Sequence, residues 1–225
     1  MTSRERLLAT GRGGEVDRKP VIHWPHWEPG SDLRYFNHET LPEHMEEGEH
    51  DVALVEITNP FGLALQQEID LNKILKDDPK AGNRVLGELV DEAKRDIDQA
   101  FEVGADGILY RLYGARARHC TPMQYGGFYL ERDRELLEGV KDALFNAIFV
   151  VGEEDVYLDF VSDLPAHAFG WDFKETQIPA SEVRKMRAGA LLSEDPESDI
   201  LLDSGTAFLS RVLESSLRTE ESYAV

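Results

Sequence analysis

Four side chains that can bind anions crowd one short stretch of this acidic chain: Arg111, Arg116, Arg118 and His119. The formal net charge is -20. A guanidinium fork grips a carboxylate through two parallel hydrogen bonds, so such a cluster is the natural seat for an anionic ligand. Tyr113 lies among these residues. A second grouping, His23-Trp24-Pro25-His26-Trp27-Glu28, brings two imidazoles and two indoles together. The imidazoles of His23 and His26 could move protons near neutral pH, and Trp24 and Trp27 could line a pocket or pack a rim. Glu56 could act as a base or pair with a loop arginine. His38, His44 and His50 are scattered among acidic residues at no metal-binding spacing, which reads as solvated surface. The single cysteine, Cys120, excludes an intrachain disulfide.

The segment from Asn83 to Arg118 positions the cationic cluster. Val85, Leu86, Leu89, Val90, Ala93, Ile97, Ala100 and Phe101 recur at helical spacing and form one apolar stripe. Gly104 is the expected stop. Gly107–Leu112 then reads as a buried strand. Alternation puts Ile108, Tyr110 and Leu112 on one face, and Leu109, Arg111 and Tyr113 on the other. In a parallel sheet both faces are covered, so Arg111 and Tyr113 belong at the carboxyl end of a strand, where α/β enzymes place their chemistry.

Thr2 and Glu5 form a capping-box pattern that opens a helix stopping near Gly11. Further strands are expected at Val21–Trp24, Asp51–Ile57, Ala147–Val151, His167–Trp171, Gly189–Leu192 and Asp199–Leu202. Helices are expected at Asp133–Phe145, Glu154–Leu164, Ser181–Met186 and Gly205–Leu217, with weaker helical signal from Leu41 to Glu47. Asn59–Gly62 reads as a turn and Glu68–Lys80 as a polar connection. Met123–Phe128, with Gly126 and Gly127, could act as a lid. Residues 218–225 read as a frayed tail. Strand–helix alternation without a break in composition predicts one domain over 1–225. About seven parallel strands with right-handed crossovers fit a reduced or irregular TIM-type (β/α) barrel.

Three segments together resemble the uroporphyrinogen decarboxylase superfamily. They are Ser3-Arg-Glu-Arg-Leu-Leu8 with Val16-Asp-Arg-Lys-Pro-Val21, then Gly104-Ala-Asp-Gly-Ile-Leu109, and then the run from Val151 to Asp172. The resemblance implies a TIM-type barrel with its site at the carboxyl ends of the strands. Members decarboxylate acetate side chains of a porphyrinogen without metal or prosthetic group, holding carboxylates with arginines, or transfer methyl groups using zinc bound by histidine and cysteine. The sequence departs from both patterns. After the first strand there is no arginine until Arg34, and the strand before Gly152 reads Phe149-Val150-Val151 where the methyltransferases carry His-x-Cys.

Three functional readings follow. In the first, the protein acts on an anionic tetrapyrrole or related polycarboxylate and needs no cofactor. His23, His26 and Tyr113 would serve as catalytic groups. Trp24, Trp27, Glu56, Arg111, Arg116, Arg118, His119, Trp171 and Asp172 would line the substrate. In the second, a zinc or corrinoid methyltransferase draws its ligands from His23, His26, His119 and Cys120. In the third, a non-catalytic barrel binds a small ligand or partner. The acidic balance argues against nucleic acid and anionic membrane as partners. No apolar run approaches the ~20 residues of a membrane span, and the charged N-terminus with one cysteine favours the cytoplasm. A shortened barrel would expose strand edges that a second copy could cover.

Overall fold

The computed structural model describes residues 1–24, 30–38, 41 and 51–203. Helix α1 (Ser3–Gly11) starts as its sequence predicts: the Thr2 side chain accepts from the Glu5 N–H, and the Glu5 carboxylate accepts from the Thr2 N–H. Eight strands follow in chain order: β1 (Val21–His23), β2 (Leu33–Phe36), β3 (Val52–Thr58), β4 (Gly107–Leu112), β5 (Ala147–Val150), β6 (Ala168–Trp171), β7 (Ala190–Ser193) and β8 (Ile200–Asp203). All pair in parallel, in the order β1-β8-β7-β6-β5-β4-β3-β2. The sheet curls into a nearly closed barrel of the TIM type.

Alternation along the strands divides the apolar residues into two sets. Ile22, Leu33, Leu54, Leu109, Ala168, Ala190, Leu192 and Leu202 face inward. Val55, Ile57, Ile108, Tyr110, Leu112, Val150, Phe169 and Trp171 face the helical layer. That layer is dominated by α4 (Pro79–Glu102), which buries Leu86, Leu89, Ala93, Ile97 and Ala100, with Val85, Val90 and Phe101 partly covered. Gly104 sits just past its end at φ +94°, a left-handed backbone that costs glycine least.

The seam between β1 and β2 is closed by side chains in place of a ladder. The Asp32 N–H donates to the Val21 carbonyl (2.7 Å), and the Asp32 carboxylate accepts from the Val21 N–H (2.8 Å). The Ser31 hydroxyl accepts from the His23 N–H (3.3 Å) and donates to the Leu33 carbonyl (2.8 Å). Asp32 is fully buried and also accepts from Ser3 (2.9 Å), Arg6 and both terminal nitrogens of Arg18 (2.6 and 3.0 Å). Burial opposes its charge, but these donors hold its carboxyl below the usual range. Among the described residues, the edge expected to lie open is thus bridged between β1 and β2.

Several expected elements are corrected. Among the described residues there are eight strands where about seven were expected, because β2 is only four residues long and lies in a polar stretch. Asn59–Gly62 does not simply turn: Asn59 caps α2 (Pro60–Gln66), and α3 (Leu71–Asp77) occupies the supposed connection. The proposed lid is α5 (Pro122–Gln124) running through one π-turn, Tyr125–Tyr129, into α6 (Leu130–Gly139). Tyr125 and Tyr129 are buried there, so the segment is anchored. The helix expected over Glu154–Leu164 shrinks to α7 (Leu158–Val161), followed later by α8 (Phe173–Thr176) and α9 (Ala180–Met186). The Gly205–Leu217 helix, the 218–225 tail and most of the Leu41–Glu47 segment lie outside the described residues.

Candidate functional site

The inward faces of β2 to β5 carry an unlike set of side chains at the carboxyl end of the barrel. The apolar floor of Leu54, Leu109, Leu192 and Leu202 gives way to Tyr35, Glu56, Arg111 and Phe149, with Trp24 arriving from the end of β1. Register sets this level, since Arg111 lies beside Phe149 and Glu56 beside Leu109. The Arg111 guanidinium carbon stands 5.0 Å from the Trp24 ring, 5.1 Å from Phe149 and 6.0 Å from Tyr113. Trp24 itself stacks on Phe149 at 5.8 Å and leans on Tyr35 at 4.8 Å. Each ring face attracts the cation by about 1–2 kcal/mol where water is excluded, so the guanidinium is held before any ligand arrives.

Arg111 Nη1 lies 3.5 Å from Glu56 Oε2, and the same oxygen accepts a short hydrogen bond from the Tyr35 hydroxyl. Burial first, and the Glu56 carboxylate second, hold the Tyr35 phenol far above its ordinary range. Tyr35 therefore keeps its proton and shares it with Glu56. Arg111 Nε is buried and makes no hydrogen bond among the described residues. A buried unpaired donor costs roughly 1–3 kcal/mol, which an arriving acceptor would recover. The arrangement combines one oriented cation, one hydroxyl–carboxylate pair able to pass a proton, and flat aromatic walls.

A buried polar network supports this layer from behind. Asn59 Oδ1 accepts from the Tyr113 N–H (3.0 Å) and the Gly62 N–H (2.9 Å), while Asn59 Nδ2 donates to the Tyr113 carbonyl (3.1 Å). A side chain at Gly62 would come within 2.6 Å of the Tyr113 ring, so only glycine leaves room for it. Asn59 Nδ2 also donates to Asp133 (3.3 Å), which accepts from the hydroxyls of Tyr110 (2.7 Å) and Tyr125 (2.5 Å). Burial raises the Asp133 carboxyl to about 6 in spite of these donors. Since its folded pKa exceeds the unfolded value of 3.8, the folded state takes up the extra proton in between. The stabilising contribution is complete below the unfolded value and is lost as pH rises through the folded one. Wild type should therefore lose stability relative to Asp133→Asn as pH rises from about 4 to about 7, by on the order of 2–3 kcal/mol. Urea unfolding of both proteins across that range checks this; parallel stability curves would contradict it.

The structure scatters several residues that the sequence groups together. Trp24, Glu56, Arg111 and Tyr113 meet at the mouth. His23 alternates to the outer face of β1, with Nδ1 3.6 Å from Asp203. Arg116 is buried in ion pairs with Glu153 (3.0 Å) and Asp155 (2.8 Å), which leaves it no free fork. Arg118 and His119 border a different hollow, beside α2 and α3. Trp171 is buried in the helical layer and donates to the Ile178 carbonyl (2.8 Å), and Asp172 caps α8. His26 and Trp27 lie outside the described residues. Tyr35 and Phe149 were not singled out by sequence. Tyr35 sat in an unrecognised strand, and Phe149 became significant only once its register with Arg111 was known. Among the described residues no three of His, Cys, Asp and Glu are placed to hold a metal. The Cys120 thiol donates to the Gly114 carbonyl (3.1 Å), and burial pushes it up to about 11, so it keeps its proton.

No protein-family model matches the sequence, and no curated protein matches it. Solved structures do. A methyltransferase from Methanosarcina mazei aligns with a TM-score of 0.66 at 13% identity, over 90% of this chain and 92% of its own. A protein described as a lyase/mutase from Burkholderia cenocepacia aligns with a TM-score of 0.51 at 12% identity, over 99% and 89%. At such identities the likeness establishes a shared barrel fold, while function has to be argued from the site. Among the described residues no helix is long and apolar enough to cross a membrane.

Proposed function

We propose that the chain is a uroporphyrinogen decarboxylase-like barrel protein that binds an anionic tetrapyrrole or related carboxylate at its mouth and decarboxylates it. The observation that carries this reading is Arg111, held against both Trp24 and Phe149 beside the Tyr35–Glu56 pair. Arg111 takes one substrate carboxylate, and the flat conjugated body rests against the aromatic walls. One guanidinium among the described mouth residues favours recognition through a single carboxylate. Loss of carbon dioxide leaves an electron pair on the substrate carbon that must take up a proton. The Tyr35 hydroxyl gives that proton to the carbanion, which is a far stronger base than a phenolate. The phenolate takes a proton back from solvent at the barrel mouth, while Glu56, which accepts from the hydroxyl, orients it. No metal or prosthetic group enters the scheme.

The test is to incubate the purified protein with uroporphyrinogen and separate the products by chromatography. Decarboxylated product is expected, and Tyr35→Phe should lower its rate by about 10²–10⁴-fold, the usual worth of a positioned proton donor. Binding without any product would leave a ligand-binding barrel and remove the catalytic half of the reading. Near-stoichiometric zinc in protein purified without chelators would turn the case toward the methyltransferase reading.

A further inference from the structure

Arg118 and His119, left out of the barrel mouth, border a hollow of about 300 Å³. This is near the lower bound of small-molecule sites, roughly 300–1,000 Å³. Its walls come from α2, the start of α3 and the loop after β4. Phe61, Leu65 and Ile69 supply the apolar part. Leu65 is 40% exposed, one of few large apolar side chains open to water. The walls are tied together. Asn72 Nδ2 donates to the His119 carbonyl (2.9 Å), and the Tyr129 hydroxyl donates to Asn72 Oδ1 (2.8 Å).

The lining includes free charges of both signs. The Arg118 backbone N–H is anchored on Asp155 (2.7 Å), while its exposed guanidinium makes no hydrogen bond or ion pair among the described residues. Glu68 also lines the hollow, without a side-chain partner among those residues, on a left-handed backbone at φ +56°. That conformation is uncommon for a side chain of this size. Asp70 is engaged in capping α3. His119 packs on Phe61 at 5.6 Å, and burial followed by Arg116 and Arg118 lowers its pKa, so it contributes a neutral ring. What remains in the lining is one cation, one anion and an apolar floor.

We propose that this hollow binds a small zwitterion with an apolar body, of the α-amino-acid class. The carboxylate pairs with Arg118, the ammonium with Glu68, and the side chain lies on Phe61, Leu65 and Ile69. The site is separate from the barrel mouth, so it stands or falls independently of the decarboxylase reading.

L-leucine, 4-methylpentanoate and isoamylamine share one aliphatic body and differ only in charge. Titrating each into the full-length protein, followed by calorimetry, separates the possibilities. The expected result is saturable binding of L-leucine that is weakened at least about tenfold by Arg118→Ala and by Glu68→Ala, and unchanged by Arg111→Ala. Both substitutions are at exposed positions, so the variants should fold. Binding of the amine or the acid alone, with one rim charge indifferent, would overturn the assignment. So would no saturation by L-leucine up to about 10 mM, where the binding energy falls below roughly 3 kcal/mol.

Discussion

Asp32→Ala should cost the protein about 3 kcal/mol or more of stability, because one buried carboxylate accepts from Ser3, Arg6, Arg18 and the Val21 N–H, and a hydrogen bond to a charged group is worth about 1.5–3 kcal/mol. Domains of ordinary stability have roughly 5–15 kcal/mol in total, so a large share would go in one substitution. The physical reason is the seam. Strands β1 and β2 share no ladder, and Asp32 stands in for it by accepting from the Val21 N–H while its own N–H donates to the Val21 carbonyl. The same carboxylate neutralises Arg6, which is only 5% exposed, and anchors Arg18. Removing it leaves Arg6 Nη1 and the Val21 N–H without their acceptor at once, although Asp17 still holds Arg6 through Nε (2.7 Å) and Nη2 (2.9 Å). Urea unfolding followed by circular dichroism should show a much lower midpoint, or no cooperative transition at all. Asp32→Asn should fall between, since the amide oxygen can still accept but carries no charge. A shift smaller than about 1 kcal/mol for the alanine variant would mean that the barrel does not depend on this closure.

The second large effect is expected at Arg111. Arg111→Ala removes the one guanidinium of the described mouth, and with it the recognition of a substrate carboxylate. A hydrogen bond to a charged group is worth about 1.5–3 kcal/mol, so affinity for a carboxylated ligand should drop by roughly tenfold to more than a hundredfold. Arg111→Lys keeps the charge but loses the planar fork and most of the stacking on Trp24 and Phe149, so it should recover only part of the loss. Folding should be affected far less than binding, because Glu56 retains its bond from Tyr35. Parallel losses of stability and binding in Arg111→Ala would show that the residue holds the barrel together and is no ligand anchor.

The parts of the fold that follow from local rules were legible in the sequence. The stripe from Leu86 to Ala100, the glycine stop at 104 and the alternation of Gly107–Leu112 each depend on residues within a few positions of one another. That alternation correctly put Arg111 on the face opposite Tyr110. What sequence could not supply was the identity of distant neighbours. Arg116, Arg118 and His119 look like one patch when read in line, but Arg116 is paired by carboxylates 37 and 39 residues downstream. The parity of β6 was visible, with small Ala168 and Gly170 alternating with Phe169 and Trp171, yet nothing local says which set faces inward. The narrow barrel takes the small residues, and Trp171 is pushed out to the helices. Tyr35 was hidden because its strand is four residues long and is held at the seam by Ser31 and Asp32 rather than by a full ladder.

The central claim is that Arg111 anchors an anionic ligand at the mouth of the barrel. Fluorescence titration of coproporphyrin against wild type and Arg111→Ala tests it most directly. Saturable binding by the wild type, weakened at least about tenfold in the variant, is the predicted result. Equal affinity in the two proteins, or no binding by either, would contradict it.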